Sequence, residues 1–227
     1  MENETFTWFG AIGAPEKLAT AGLVATLLMA FAALVHRRLA ATEAAIDPDD
    51  GVTARNVAEA FVESITGLAE GVIGHGAERY VPLLGSFFIF ILVANLIGLV
   101  PGFTPPTSDF NITLALGTVS FVAYHVYGAR QHGFGYVKHF LGSVVFLMPL
   151  MLVVDLLSHV FRPVSLGIRL FANMFADHKV VEIFTDYTYL GVPVAFYVLG
   201  AFVAVVQAFV FTMLSAIYIA LAVSNEH

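Results

Sequence analysis

Arg169 stands between Ile168 and Leu170 in RPVSLGIRLFANMFADHK, residues 162–179, in a chain that is 59% hydrophobic. A charged side chain at mid-membrane costs at least about 2.5–3.5 kcal/mol on insertion scales. Something must offset that cost. At about 100° of rotation per residue, Ser165, Arg169, Ala172, Asn173 and Ala176 fall on one narrow stripe, and the four beside the arginine are small or polar. The bulky Leu170, Phe171, Met174 and Phe175 point elsewhere. Small residues beside a charge let a second helix approach closely. The stripe is therefore expected to face a packed helix or a water-filled groove, not lipid. Three kinds of chemistry fit such a cation. It could pair internally with Asp155, or with Asp177, which lies about 80° round and about 12 Å along the axis. It could bind an anionic substrate. Or its acidic partner could belong to another subunit.

The elements that must hold this arginine are membrane helices. Of 227 residues only 12% are charged, about half the share of a soluble domain. There is no cysteine, so disulfides and thiolate metal sites are excluded. The net charge of -7 argues against nucleic acid and against a polybasic membrane anchor. The acidic start, MENET, lacks the basic region of a secretory signal, so the first apolar run is expected to be a retained helix.

That run, 18–35, is long enough to span. Arg37 and Arg38 follow it and place this end in the cytoplasm, hence the N-terminus outside. IDPDDG is a turn. Within 55–73, Phe61, Ile65, Leu68 and Val72 recur at helical spacing while Glu59, Glu63 and Glu70 cluster apart. This is an amphipathic helix, expected at the interface or on a neighbouring subunit. Residues 80–100 form a second span interrupted by Asn95, and PGFTPPTSD is an outer loop. Residues 111–129 form a third span containing His125, with Asp109 or Asn111 as its N-cap. Arg130 and Lys138 return the chain to the cytoplasm. Residues 139–161, with Pro149, Asp155 and His159, are expected to be re-entrant or strongly tilted. Two long helices close the chain, one over 164–189 with Pro163 at its start, the other from 193 past 218. A helix of about 30 residues is about 45 Å long against a hydrocarbon core of about 30 Å, so the pair must tilt steeply. No internal repeat, nucleotide loop, nucleophile constellation or metal-ligand spacing occurs among these residues; His75, His125, His132 and His139 read as loop, interfacial or core residues. The expectation is an all-α integral membrane protein of five to six helices. It divides into an N-terminal helix (1–40), a cytoplasmic-side amphipathic segment (41–79) and a helical-hairpin domain (80–227).

RPVSLGIRLFANMFADHKVV, followed by VVQAFVFTMLSAIYIALAVSNEH, resembles subunit a of F-type ATP synthases. That family carries an R-L-x-x-N-M-x-A core and a Q-A-x-x-F element on its last helix. PLLGSFFIFILVANLIGLVPG and SDFNITLAL resemble the family's earlier hairpin. The resemblance covers roughly 52–227. It implies a proton-translocating stator subunit, non-catalytic and without cofactor, whose tilted helix pair packs against a rotor ring of c subunits. The implied partners are that ring, the peripheral-stalk b subunits, the rest of the complex and membrane lipid. The implied location is the bacterial inner membrane with the C-terminus cytoplasmic. Arg169 matches the family's essential arginine. An opposite charge favours the ionised form of a ring carboxyl passing it, and desolvation in lipid favours the protonated form. Arginine keeps its charge throughout, so it blocks a direct proton path between two half-channels.

The resemblance further implies half-channel residues. Asn95, Asp177 and His178 are expected on the outer side, with Glu182 and Asp186 at the mouth. Ser165, Asn173, Asp155 and His159 are expected on the cytoplasmic side. Gln207 matches the family's glutamine and is expected to hydrogen-bond near Arg169. One departure stands out. Many bacterial relatives carry Gly-Glu where this chain has Asp177-His178, and a histidine where it has Gly200. Acid and imidazole thus share one helix and can still relay protons, and Gly200 leaves room for Asp177 or water. The competing readings are a self-contained transporter whose Arg169 binds an anion, which predicts broken helices or repeats, and a membrane scaffold, which leaves the polar residues in apolar helices unexplained.

Overall fold

The computed structural model describes residues 7–41, 53–133, 148–187 and 191–224. Six long helices carry the architecture, and no strand occurs among the described residues. Helix α1 (Glu16–Ala41) turns Leu27, Met29, Phe31 and Leu34 outward, as a lipid-facing span does. Helix α2 (Ala54–Ile73) starts where Thr53 Oγ1 accepts a hydrogen bond from the Asn56 N–H at 3.2 Å, and ends at Gly74, whose φ of 84° few other residues tolerate. Helix α3 (Val81–Ile97) has Pro82 in its first turn, where a missing N–H costs nothing. Asp109 caps α4 (Phe110–His132), its carboxylate accepting from the Asn111 N–H at 2.8 Å. Helix α5 (Met148–Tyr187) carries Arg169, and α6 (Gly191–Val223) closes the fold.

Helices α2, α3, α4 and α5 all pack against α6. One core cluster joins Ile65, Tyr80, Leu84, Tyr124 and Ile219; a second joins Phe87, Ile91, Leu166, Leu170, Met174, Ala208 and Phe211. Residues 16–37, 77–97, 110–132 and 194–223 are each long and apolar enough to cross a membrane. This is an all-α integral membrane fold.

Two expectations are corrected. Pro163 does not begin the Arg169 helix but lies inside α5, which runs for 40 residues. The local rule fails because tertiary packing overrides it. The Pro163 backbone sits against Gly117 of α4, where an added Cβ would lie 2.5 Å from the Pro163 carbonyl oxygen. Residues 139–161, expected to be re-entrant or strongly tilted, are not re-entrant over 148–161, which form the first third of this helix; 134–147 lie outside the described residues. At 1.5 Å per residue α5 is about 60 Å long, twice a hydrocarbon core. The amphipathic α2 also finds its partner within the chain. Ile65 and Ala69 are buried, Phe61 packs over Gly85 of α3, where an added Cβ would lie 3.6 Å from its ring, and Glu59, Glu63 and Glu70 stay exposed.

Candidate functional site

Glycines decide how the arginine helix is held. Gly117 meets the Pro163 backbone, and an added Cβ on Gly167 would lie 3.1 Å from the Leu114 Cα. Helices α4 and α5 thus touch almost backbone to backbone, the close approach that small residues permit. Leu166, Leu170 and Met174 are buried between α3 and α6. Helical geometry then turns Ser165, Ile168, Arg169, Ala172 and Ala176 to the exposed face. Ser165, Arg169, Ala172 and Ala176 of the expected stripe share this face with Ile168, while Asn173 is half-buried, and no described helix covers it. No hydrogen bond or ion pair joins Arg169 to any described residue. The internal pair with Asp177 does not form.

Helices α5 and α6 run antiparallel. Asp177 lies against Gly200, and Phe184 stacks on Phe196 with ring centroids 4.5 Å apart. Leu170 and Ala208 share the second core cluster, so this register brings Arg169 and Gln207 to one level. Gln207 is half-buried. The expected hydrogen bond between it and Arg169 is not among those of the described residues.

Four residues expected on the outer side do come together. A cavity of about 10 Å³, enough for about one water, is lined by Asn95, Gly98, Leu99, Pro105, Met174, Asp177, His178 and Val181. A second cavity of about 150 Å³ shares Gly98, His178 and Val181 with it and adds Glu182, Thr185, Tyr197, Thr7 and the 100–104 loop. Glu182, His178, Asp177 and Asn95 thus line two adjoining cavities, with His178 common to both. Asn95 is 3% exposed. Its Oδ1 accepts the Thr107 hydroxyl, and its Nδ2 donates to the Ala204 carbonyl at 3.5 Å. Lys179 pairs with Glu182 at 2.7 Å. A Cβ on Gly200 would lie 2.6 Å from Asp177 Oδ2. The Asp177 carboxylate therefore occupies the space that the missing side chain leaves.

The residues expected on the cytoplasmic side are not gathered in this way. Ser165 is exposed and Asn173 half-buried, and neither lines a cavity described here. His159 lies about 15 Å along the axis from Arg169, its ring centroid 5.5 Å from that of His125. Asp155 lies on α5 about 21 Å from Arg169, but its side chain, like that of Asp186, falls outside the described residues. Sequence reasoning missed several polar groups nearby. The Ser120 and Ser215 hydroxyls bond at 2.8 Å between α4 and α6, and both residues are buried. The Arg162 guanidinium lies 5.1 Å from the Tyr218 ring and 5.9 Å from that of Tyr124. Arg162 next to Pro163 was visible as a charge in an apolar run; the serines and Thr107 carry no signal in isolation. No cluster of three or more metal-ligating side chains occurs among the described residues.

Comparison with known proteins bears on what this arrangement does. The family described as ATP synthase A chain matches residues 18–220. The ATP synthase subunit a of Bdellovibrio bacteriovorus is 42% identical over 211 residues, which cover 92% of each chain. ATP synthase subunit a 1 of Syntrophotalea carbinolica is 39% identical over 207 residues, 91% of this chain and 85% of that one. The subunit a of Geobacter sulfurreducens is 38% identical over 173 residues, 76% of each. With a match across most of its length, the chain belongs to the ATP synthase A chain family.

Proposed function

We propose that this chain is the proton-translocating stator subunit of a rotary ATP synthase, with Arg169 as the electrostatic gate facing the carboxyl groups of a c-subunit ring. One observation carries the reading: Arg169 is exposed and joined to no described residue, while the nearest acid on its helix, Asp177, lies against Gly200 instead. A cation left this way in a membrane helix costs several kcal/mol, and an acid from a partner subunit offsets that cost. The flanking Ser165, Ala172 and Ala176 let such a partner come close. A ring carboxyl ionises beside Arg169 and moves into lipid only after reprotonation. Because arginine does not lose its charge, protons cannot bypass the ring.

The track of Asn95, Asp177, His178 and Glu182 supplies the outer half-channel in this reading. Ser165, Asn173, Asp155 and His159 supply the cytoplasmic one, and Gln207, at the level of Arg169, steadies the guanidinium when the ring is in place. The partners are the c ring, the peripheral-stalk b subunits and the remaining synthase subunits. The membrane is the bacterial inner membrane, with the N-terminus outside and the C-terminus in the cytoplasm. The test is passive proton flux alongside ATP-driven pumping in membranes holding the assembled complex. Arg169→Ala is expected to abolish pumping while leaving or raising passive flux. Pumping that survives the substitution makes Arg169 structural and ends the gate reading.

A further inference from the structure

We propose that residues 7–17 form the outer wall of the inlet to the Asp177–His178 cluster, so that the path from solvent to His178 runs past the Thr7 hydroxyl. The inference rests on the reading of Asn95, Asp177, His178 and Glu182 as a proton path. It goes beyond that reading by adding a segment that lies ahead of the first span.

The larger cavity has three sides. Glu182 and Thr185 of α5 and Tyr197 of α6 form two of them, the loop after α3 forms part of the third, and Thr7 completes it. This placement is held by contacts of several kinds. The Trp8 N–H donates to the Gly102 carbonyl at 3.1 Å. The Trp8 indole covers Gly102 so closely that a Cβ there would lie 2.5 Å from Nε1, and Gly102 itself has φ 88°, which favours glycine. The Phe9 ring meets Phe103 edge to face at 6.0 Å. The Thr7 hydroxyl donates to the Glu16 carboxylate and accepts from the Gly10 N–H at 3.2 Å. Lys17 Nζ donates to the Ser108 carbonyl at 3.2 Å. A segment that only led into a span would need none of these. Together they hold Thr7 in the wall of a cavity with room for water.

The chain has no cysteine, so an introduced thiol is its only one. Thr7→Cys and, as a control, Asn111→Cys are made in the complete complex. Asn111 is exposed at the start of α4 and lines neither cavity. Both complexes are labelled in detergent with a bulky charged methanethiosulfonate, reconstituted into liposomes and assayed for ATP-driven pumping, with the complex holding the unsubstituted chain treated in parallel. Labelled Thr7→Cys is expected to pump several-fold more slowly than before labelling, and labelled Asn111→Cys at its original rate. Stoichiometric labelling of Thr7→Cys with unchanged pumping overturns the proposal. An Asp177→Asn complex separates the two layers. If it stops pumping while labelled Thr7→Cys pumps normally, only the wall falls; if it pumps normally, the path reading falls and takes the wall with it. Should Thr7→Cys not assemble, Gly102→Val displaces Trp8 instead. A thiol at Val181, which lines both cavities, is then expected to label several-fold faster than with Gly102 intact, and equal rates overturn the proposal.

Discussion

Gly200→Ala tests the contact that distinguishes this chain's outer track. The added Cβ would lie 2.6 Å from Asp177 Oδ2 and 3.1 Å from Leu99 Cδ2, against an ordinary contact of 3.4 Å or more. The carboxylate must therefore retreat by nearly an ångström. It is the far end of a flexible side chain, and the cavity of about 10 Å³ beside it gives it somewhere to go. The cost is that of an off-rotamer side chain, about 0.5–1.5 kcal/mol. Against this, replacing glycine within a helix returns about 0.5–1 kcal/mol. The single substitution is thus expected to change stability little, and by itself decides nothing. A double-mutant cycle cancels the helix term. In an Asp177→Ala background the clash with the carboxylate is gone and the Leu99 contact, present in both backgrounds, cancels, so Gly200→Ala is expected to be more favourable there by about 0.5–1.5 kcal/mol. The measurement is denaturant or thermal unfolding of the four purified complexes. Gly200→Ala alone is also expected to slow ATP-driven pumping, since a penalty of that size on one step is worth about two- to tenfold in rate. A coupling energy of zero would refute the reasoning, because the carboxylate would then not occupy the space at Gly200.

Two further substitutions probe what holds the track and the arginine in place. Gly117→Ala puts a Cβ 2.5 Å from the Pro163 carbonyl oxygen, a backbone atom that cannot swivel away. Helices α4 and α5 must separate, at about 1–3 kcal/mol, and the melting temperature and pumping rate of the complex are expected to fall together. Asn95→Leu removes the acceptor of the buried Thr107 hydroxyl and is expected to cost about 1–3 kcal/mol. Adding Thr107→Val is expected to recover part of that loss in the same unfolding assay.

The residues by themselves carried the fold class and the stripe around Arg169. Both rest on local periodicity: runs of apolar residues set the spans, and a repeat near 3.6 separates buried Leu170 and Met174 from exposed Ser165, Ala172 and Ala176. The departure at Asp177 and Gly200 was legible only through the family resemblance, against which this chain has an acid where many relatives have glycine and a glycine where they have histidine. What periodicity cannot supply is register between helices. Pro163 reads locally as a helix start but lies inside α5, its backbone against Gly117, far away in sequence. Thr107 on Asn95 and Ser120 on Ser215 are pairs in which neither member signals the other. Thr7 reaches the wall of a cavity that holds His178 through contacts that include the Trp8 indole over Gly102 and Phe9 on Phe103. Sequence determined which helices exist and which face of each is apolar. Only the tertiary structure decided which polar groups meet between them, since that depends on contacts of a few tenths of an ångström at glycines whose partners lie elsewhere in the chain.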